Sequence, residues 1–279
     1  MSEFQAIVLG ILQGLTEFIP VSSSGHLAVA QNLFGLQSVP LLYDVLLHFA
    51  TLLATLVVLR SQVLGLARAL FRLPKFARNW FQKGHLAIGD DPEAWTLLLI
   101  FVTTVITGSV GVAFHDTFEK AFSTPPVIAA AFSATGFLLF ASRNFVRGKG
   151  KSAVLATVKD ALWIGLAQAF AILPGLSRSG TTLTAALFLG FDRKFAGEYS
   201  FLISLPVIAG AALLEIRKGG LDSLNVTWPS AAVGFLASFG LGVLTLRLLL
   251  GWIRSGKLTP CAYYCWFAAL FTLFLIFRG

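Results

Sequence analysis

Six apolar segments, each long enough to cross a bilayer as a helix, dominate the sequence. A membrane-spanning helix needs about 17–25 predominantly apolar residues. The segments that meet this length are 40–59, 94–114, 125–142, 199–216, 229–250 and 260–277. Only 12% of the 279 residues are charged, against about 25% in soluble domains. The sequence therefore predicts an all-α integral membrane protein that forms one membrane domain over residues 1–279.

The net charge of +8 could indicate nucleic acid, but no basic patch is interleaved with aromatic residues. We therefore expect no nucleic-acid partner and read the charge as basic loops. Fifteen Lys and Arg residues lie in loops 60–93, 143–159, 192–198 and 251–259, and four lie in the opposite loops and terminus. The positive-inside rule places the first set in the cytoplasm and both termini outside. The two cysteines, Cys261 and Cys265, are predicted to be packing residues.

Two further apolar regions, 4–36 and 158–191, are interrupted by Pro, Gly and Ser, and they resemble each other. GILQ at Gly10 and SSSG at Ser22 have the counterparts GLAQ at Gly165 and SRSG at Ser177, at a constant offset of 155. Polar matches at one offset indicate an internal repeat.

Each interrupted region is followed by three spans. If each region enters and leaves the membrane on one side, the two halves have opposite orientations. The predicted fold is then six transmembrane helices plus two re-entrant helical hairpins, 4–36 and 158–191, in an inverted-topology repeat. The predicted repeats are 1–147 and 156–279, and the hairpin tips should meet near the middle of the bilayer.

Ionisable residues inside a membrane are candidates for function, because each costs about 2.5–3.5 kcal/mol on insertion scales. The first hairpin offers Glu17 and His26, and the next span offers Asp44 and His48 on one helix face. Gln13 and Glu17 are four residues apart and share a face of a regular helix. Pro20 should end that helix, and a second short helix should restart near Gly25.

The second hairpin offers Arg178, whose planar fork suits phosphate oxygens. Two half-helix N-termini and this arginine are predicted to form a phosphate or pyrophosphate site. The predicted substrate-binding residues are Gln13, Ser22, Ser24, Gly25, Ser177, Ser179, Gly180, Thr181 and Thr182. A carboxylate, hydroxyls, a histidine and an arginine together indicate metal-assisted phosphoryl transfer. The alternative is a polar network that only locks the hairpins.

At these residues the chain resembles a known family. QGLTEFIPVSSSGH from Gln13 and PGLSRSGTT from Pro174 are similar to the two signature motifs of the undecaprenyl-pyrophosphate phosphatases of the bacitracin-resistance type. The first motif reads E/Q-x-x-x-E followed by P-V-S-S-x-G-H, and the second reads P-G-x-S-R-S-x-x-T. The resemblance covers the whole chain in length, span count and motif placement.

The resemblance implies a phosphatase of the bacterial inner membrane that hydrolyses undecaprenyl pyrophosphate to undecaprenyl phosphate and phosphate. Such an enzyme recycles the lipid carrier for cell-wall synthesis and confers bacitracin resistance. The family also implies an inverted-repeat fold and a divalent cation, Mg²⁺ or Ca²⁺. Many members have Glu where this chain has Gln13, so Glu17 is the one carboxylate expected at the metal, with Gln13 at best a neutral ligand. The expected partners are a polyprenyl pyrophosphate lipid and the membrane, with a homodimer left open.

The catalytic residues predicted are Ser23, His26, Glu17 and Arg178. Ser23 is the hypothetical nucleophile and His26 its partner in proton transfer; attack by water or by His26 itself is the alternative. The site is expected to open to the outer side, where a lipid headgroup could reach it. A competing function is a polyprenyl-phosphate flippase on the same fold, which would not need Glu17 or His26 for chemistry.

Overall fold

The computed structural model describes residues 1–36, 41–145, 150–219 and 226–278, and helices dominate it. No strand occurs within these ranges, where one isolated backbone bridge pairs Lys151 with Phe191. The α-helices are α1 (Glu3–Thr16), α2 (Ser23–Leu33), α3 (Leu41–Val58), α4 (Arg60–Lys83), α5 (Leu86–Asp90), α6 (Pro92–Ala113), α7 (His115–Phe122), α8 (Pro125–Ser142), α9 (Val158–Phe170), α10 (Arg178–Phe188), α11 (Arg193–Leu202), α12 (Ser204–Gly219), α13 (Trp228–Ser255) and α14 (Thr259–Arg278).

Five segments are long and apolar enough to cross a membrane: α6, α8, α11 with α12 (Arg193–Leu214), α13 and α14. A sixth is reached if α3 and α4 count as one broken span, although their axes differ by 87°. The protein is therefore a multi-pass membrane protein with five or six candidate spans. Several predicted positions lie outside the described residues: Pro40 at the start of a span, residue 147 at the end of the first repeat, the loop cations Arg147 and Lys149, and Gly279.

Local structures recur at the offset of 155 that relates the two interrupted regions. Helix α1 begins with a capping box between Ser2 and Gln5, and α9 begins with one between Thr157 and Asp160. The glycines that follow α2 and α10, Gly35 and Gly190, both have positive φ. The two regions therefore cap their helices in the same way: a capping box pairs the free amides at the start of the first helix, and a glycine with positive φ follows the end of the second helix.

Glycines let α1 and α9 approach long helices from the other half of the chain. Helix α1 packs on α13, and α9 packs on α6. A Cβ atom on Gly10 would lie 2.3 Å from the carbonyl oxygen of Gly234. A Cβ atom on Gly165, its counterpart, would lie 3.0 Å from the carbonyl oxygen of Thr103. Small residues at helix contacts are how membrane helices gain close backbone packing.

We expect Gly10→Ala to destabilise the protein by about 1–3 kcal/mol, the usual cost of overpacking. The added methyl meets backbone of Gly234, which cannot rotate aside, so α1 must move away from α13. Thermal unfolding in detergent would show a lower midpoint. Gly240→Ala is the matched control, because a Cβ there meets no atom within 4 Å. Equal midpoints for the two variants would contradict this packing.

The predicted basic loop 60–93 is largely helical, contrary to its assignment as a loop. Arg72 of α4 bonds Asp91 through Nε at 2.7 Å and Glu93 through Nη2 at 2.6 Å. The hydrogen bond from Arg72 is the main reason that the pKa of Asp91 lies below its usual range.

A second contact links α6 to the next predicted basic loop: Trp95 Nε1 donates to the carbonyl of Ala156 at 2.8 Å. The first two predicted basic loops therefore lie at one end of the bundle.

Both predicted packing cysteines, Cys261 and Cys265, are buried free thiols, which confirms that assignment.

Candidate active site

The turn between α1 and α2 holds Ser22 in an unusual conformation. Ser22 has φ of 68° and is the one non-glycine residue with positive φ in the described chain. Such a conformation costs of order 1–3 kcal/mol and persists only when its surroundings enforce it. The Ser22 hydroxyl accepts hydrogen bonds from the amides of Gly25 at 3.3 Å and Gly175 at 3.1 Å. The turn thereby fixes Ser23 as the first residue of α2.

The turn before α10 repeats this arrangement. Ser177 caps α10, and its hydroxyl accepts a hydrogen bond from the amide of Gly180 at 3.1 Å. Gly175 has φ of +91°, a conformation that glycine adopts without the steric cost of a Cβ atom. The result is that Arg178 starts α10 as Ser23 starts α2.

The tips of the two hairpins touch, as the repeat predicted. A Cβ atom on Gly25 would lie 2.9 Å from Gly175 Cα. The Ser179 hydroxyl donates to the carbonyl of Phe18 at 3.1 Å. These contacts, with the Ser22–Gly175 bond, join the start of α2 to the start of α10 and bring Ser23 and Arg178 to one place.

Glu17 is the centre of the polar cluster. Its Oε1 accepts a hydrogen bond from Arg178 Nη2. Its Oε2 accepts one from the Ser23 hydroxyl at 2.5 Å and one from Gln13 Nε2 at 3.0 Å. The side chain of Glu17 is 4% exposed and that of Arg178 is 16% exposed. The arrangement places a serine hydroxyl against a buried carboxylate, with an arginine on the other oxygen of that carboxylate. A hydroxyl within hydrogen-bond reach of a base is the arrangement that nucleophilic catalysis requires.

Two buried atoms of the cluster have no partner among the described residues. They are Arg178 Nη1, a donor, and Gln13 Oε1, an acceptor. A buried polar atom without a partner costs about 1–3 kcal/mol. An unpartnered nitrogen on the guanidinium that bonds Glu17 is therefore suited to an anionic ligand that supplies the missing acceptor.

A cavity of about 300 Å³ meets this cluster. Its polar end includes Glu17, Ser23 and Arg178, and the Ser22, Ser24 and Ser177 side chains also line it. Apolar side chains form much of the remaining wall: Ala171, Ile172, Leu176, Val207, Ile208, Ala211 and Ala212. A ligand that fills it should have a charged head and an apolar body, as a lipid phosphate does.

His48 is a further ionisable residue at this cavity, and it was absent from the predicted site. Its Nε2 lies 3.6 Å from Glu17 Oε2, and its Nδ1 lies 2.8 Å from the carbonyl of Asp44. A carbonyl only accepts, so Nδ1 carries a proton and Nε2 faces the carboxylate. Gln168, the counterpart of Gln13, also lines the cavity. The i, i+4 spacing of Asp44 and His48 and the offset of 155 were the available signals.

His26 lies away from Ser23 Oγ, contrary to the predicted pairing. Its Nδ1 donates to the Ser22 carbonyl at 2.7 Å, and its Nε2 lies 2.9 Å from the Tyr264 hydroxyl. The aromatic ring of Tyr264 also stacks on the imidazole ring of His26. His26 lines a separate groove of about 260 Å³ on the other side of α2. On α2, Ser23 therefore lines the cavity, whereas His26 lines the groove.

Three predicted binding residues on α10 face the protein rather than the cavity. The Ser179 hydroxyl is bonded to Phe18, and the Thr182 hydroxyl lies 2.5 Å from that of Ser200. Thr181 Oγ1 is buried without a partner and does not line the cavity. Ser179 thereby joins the two hairpins and Thr182 joins α10 to α11, whereas Gly25 and Gly180 allow the close approach of the hairpins.

The residues around Glu17 do not form a protein cage for the expected divalent cation. Both of its carboxylate oxygens already accept hydrogen bonds. Within the described ranges the one group of three potential ligands is His115, Asp116 and Glu119, exposed on α7. Mg²⁺ and Ca²⁺ need several oxygen ligands, so the predicted metal role of Glu17, with Gln13 as a neutral ligand, does not fit this donor set.

Comparison with known proteins gives one family. The family model "Bacitracin resistance protein BacA" matches residues 6–271. The relatives include proteins named "Undecaprenyl-diphosphatase" from Desulfatibacillum aliphaticivorans and Halothermothrix orenii. The first is 41% identical, covering 95% of this chain and 96% of the relative. The second is 38% identical, covering 99% and 98%. The chain therefore belongs to the BacA family of bacitracin resistance proteins.

Proposed function

We propose that this chain hydrolyses undecaprenyl pyrophosphate to undecaprenyl phosphate and inorganic phosphate. The observation that carries the proposal is the Ser23–Glu17–Arg178 cluster at the head of a cavity with apolar walls. The relatives of the chain carry the name of this activity. The reaction returns the lipid carrier to cell-wall synthesis, and the description of the family implies that it confers bacitracin resistance.

In the first chemical step Ser23 Oγ attacks the terminal phosphorus. Its proton passes to Glu17 Oε2, 2.5 Å away. A new Ser23 Oγ–P bond forms, the bridging P–O bond breaks, and undecaprenyl phosphate leaves with the bonding electrons. Arg178 Nη1 binds oxygens of the transferring group, where charge develops in the transition state.

In the second step water attacks the phosphoserine and gives a proton to Glu17. The Ser23 Oγ–P bond breaks, and a proton returns from Glu17 to Ser23 Oγ, which releases phosphate and restores Ser23. Before water attacks, Glu17 must lose the proton that it took from Ser23 in the first step. His48 Nε2, 3.6 Å from Glu17 Oε2, is placed to take it. We assign His48 this role of proton carrier, which His26 cannot fill from its groove.

We propose that the divalent cation enters with the substrate, as the counter-ion of its pyrophosphate. Mg²⁺ commonly binds through substrate phosphates with few protein ligands, which suits a site where both oxygens of Glu17 already accept hydrogen bonds. Mg²⁺ or Ca²⁺ would neutralise phosphate charge; every proton transfer above is assigned to residues of the chain. A chelator should therefore raise the apparent KM for pyrophosphate substrate, and unchanged kinetics in EDTA would contradict a cation requirement.

For the fold we propose an inverted-topology repeat of two re-entrant hairpins, each followed by three spans. The recurring caps, the recurring glycines and the reciprocal packing of α1 on α13 and α9 on α6 support it. We place the basic end, which includes α4, in the cytoplasm of a bacterial inner membrane. The cavity then opens outward, near Phe122 of α7. A cysteine at Ser2 that reacts with an impermeant label only from inside would overturn this orientation.

We propose that His26 is a positioning residue that holds the Ser22 turn through its bond to the Ser22 carbonyl. His26→Ala is expected to lower kcat about ten- to a hundredfold, since the strained turn is worth of order 1–3 kcal/mol. His26→Asn should recover part of the loss, because its amide can still donate. Tyr264→Phe should cost only severalfold, about the worth of one hydrogen bond.

The pH profile of kcat separates this role from proton transfer. A positioning role leaves both limbs of the profile in place in His26→Asn. Disappearance of one limb would show that His26 itself carries the proton.

Phosphate release from undecaprenyl pyrophosphate by the purified protein in detergent tests the proposed function. No transport is measurable there, so release requires hydrolysis. We expect turnover that is lost in Ser23→Ala. A folded protein that binds the lipid and releases no phosphate would instead favour a flippase.

A further inference from the structure

Helix α4 leaves the end of α3 at 87°. Helix α3 packs along α13 and α12, which include candidate spans. A helix at right angles to a spanning helix runs in the plane of the membrane surface. Helix α4 is 24 residues long, about 36 Å at 1.5 Å per residue, so it covers a long stretch of that surface.

The side chains of α4 fall into three sectors on the helical period of 3.6 residues. One sector, with Gly65, Ala69 and Phe76, is buried against the protein. A second, on one side of it, is apolar and includes Leu70 and Phe81, which are 57% and 89% exposed. The remaining sector, on the other side, carries the cations Arg60, Arg68, Arg72, Lys75 and Arg78. A helix that lies in the membrane–water interface and also packs on its own protein needs one face for the protein, an apolar face for the acyl chains and a basic face for the headgroups.

Four of the α4 cations are exposed and have no carboxylate within ion-pair distance in the described chain. They are Arg60, Arg68, Lys75 and Arg78. The ion pairs of α4 use other residues: Arg72 pairs with Asp91 and Glu93, and Lys83 pairs with Asp90. Phe71, 86% exposed, lies among the four. Their charge is therefore available to anions at the level of the lipid headgroups.

Helix α4 is also fixed to the membrane-spanning bundle. Arg72 bonds the cap of α6, and Trp80 stacks on Trp95 of α6 with ring centroids 5.2 Å apart. Because the helix is held on one side, its free cations face a fixed direction. A mobile basic tail would lack that constraint.

We infer that α4 is a docking surface for anionic phospholipid headgroups of the leaflet it lies in. Basic residues near such a surface attract anionic lipid electrostatically, and the apolar sector enters the acyl-chain boundary beneath them. The inference rests on the shape and charge of α4 and is independent of the proposed hydrolysis.

Amide hydrogen exchange of the full-length protein tests it, in phosphatidylcholine nanodiscs with and without phosphatidylglycerol. We expect phosphatidylglycerol to slow exchange in α4 roughly five- to tenfold, an effect that high salt should weaken. The variant with Arg60, Arg68, Lys75 and Arg78 all replaced by Gln should lose the effect. Its phosphate release in detergent should match the wild type, which shows that it folds.

The matched control is Arg254→Gln with Lys257→Gln, two exposed cations outside α4. This variant should keep the slowing by phosphatidylglycerol in α4. Equal exchange in both kinds of nanodisc would overturn the inference and leave a soluble anionic partner as the occupant to seek. Loss of the effect in the control as well would show general charge attraction rather than a surface on α4.

Discussion

Glu17→Gln is expected to lower phosphate release about a thousandfold or more. The change keeps the size of the side chain and removes the group that accepts the Ser23 proton at 2.5 Å. General-base catalysis is worth about 10²–10⁴ in rate, and the variant also loses the negative partner of Arg178. Single-turnover release from undecaprenyl pyrophosphate measures the chemical step directly.

Gln13→Glu is the matched control for that prediction, since Gln13 bonds the same oxygen of Glu17. The family motif admits either Glu or Gln at this position, so we expect turnover to stay within about tenfold of wild type or to rise, a change below about 1.4 kcal/mol in the barrier. Near-wild-type release by Glu17→Gln would remove Glu17 as the base for Ser23.

Arg178→Lys is expected to cost about a hundredfold or more, although it keeps the positive charge. The guanidinium bonds Glu17 through Nη2, and its Nη1 has no partner among the described residues. One planar fork can therefore hold the base and the phosphate at fixed positions, whereas the single nitrogen of Lys cannot span both. Loss of one such transition-state donor typically costs 10²–10³ in kcat.

Arg178→Ala provides the comparison for the lysine variant, because it removes charge and fork together. If Arg178→Lys were as active as wild type while Arg178→Ala was inactive, a point charge alone would suffice. The two-partner geometry of the guanidinium would then have no role in the reaction.

Much of the first hairpin could be predicted because helical periodicity and turn residues act locally. Gln13 and Glu17, four residues apart, do share a helix face, with 3.0 Å between Gln13 Nε2 and Glu17 Oε2. The restart near Gly25 is confirmed by α2, which begins at Ser23. The offset of 155 also placed the tips of the two hairpins together, as the Ser22–Gly175 bond shows.

The direction of His26 could not be predicted, because it depends on one backbone angle. With Ser22 in the left-handed region, α2 starts so that Ser23 faces the cavity and His26 faces Tyr264. Nothing in the local sequence requires a serine to adopt that angle; contacts from Gly175, far along the chain, hold it there. The contact of His48 with Glu17 also joins residues that are far apart in the sequence, so the helical period cannot predict it.

Helix α4 was missed for a different reason. Its many Lys and Arg residues were the basis for predicting the cytoplasmic side, and the same residues lower the mean hydropathy below that of a span. A basic stretch with apolar residues on the helical period is typical of an interfacial helix. The position of the stretch between two spans led to its assignment as a loop.

The most direct test of the mechanism is the fate of the transferred phosphate. Rapid acid quenching of the enzyme with substrate labelled at the terminal phosphate, followed by peptide mapping, should trap a phosphoryl group on Ser23. The adduct should be absent from Ser23→Ala and should not form in Glu17→Gln. A phosphoryl group on His26, or inversion of configuration at a chiral terminal phosphorus, would contradict attack by Ser23 and leave that hydroxyl as a binding group only.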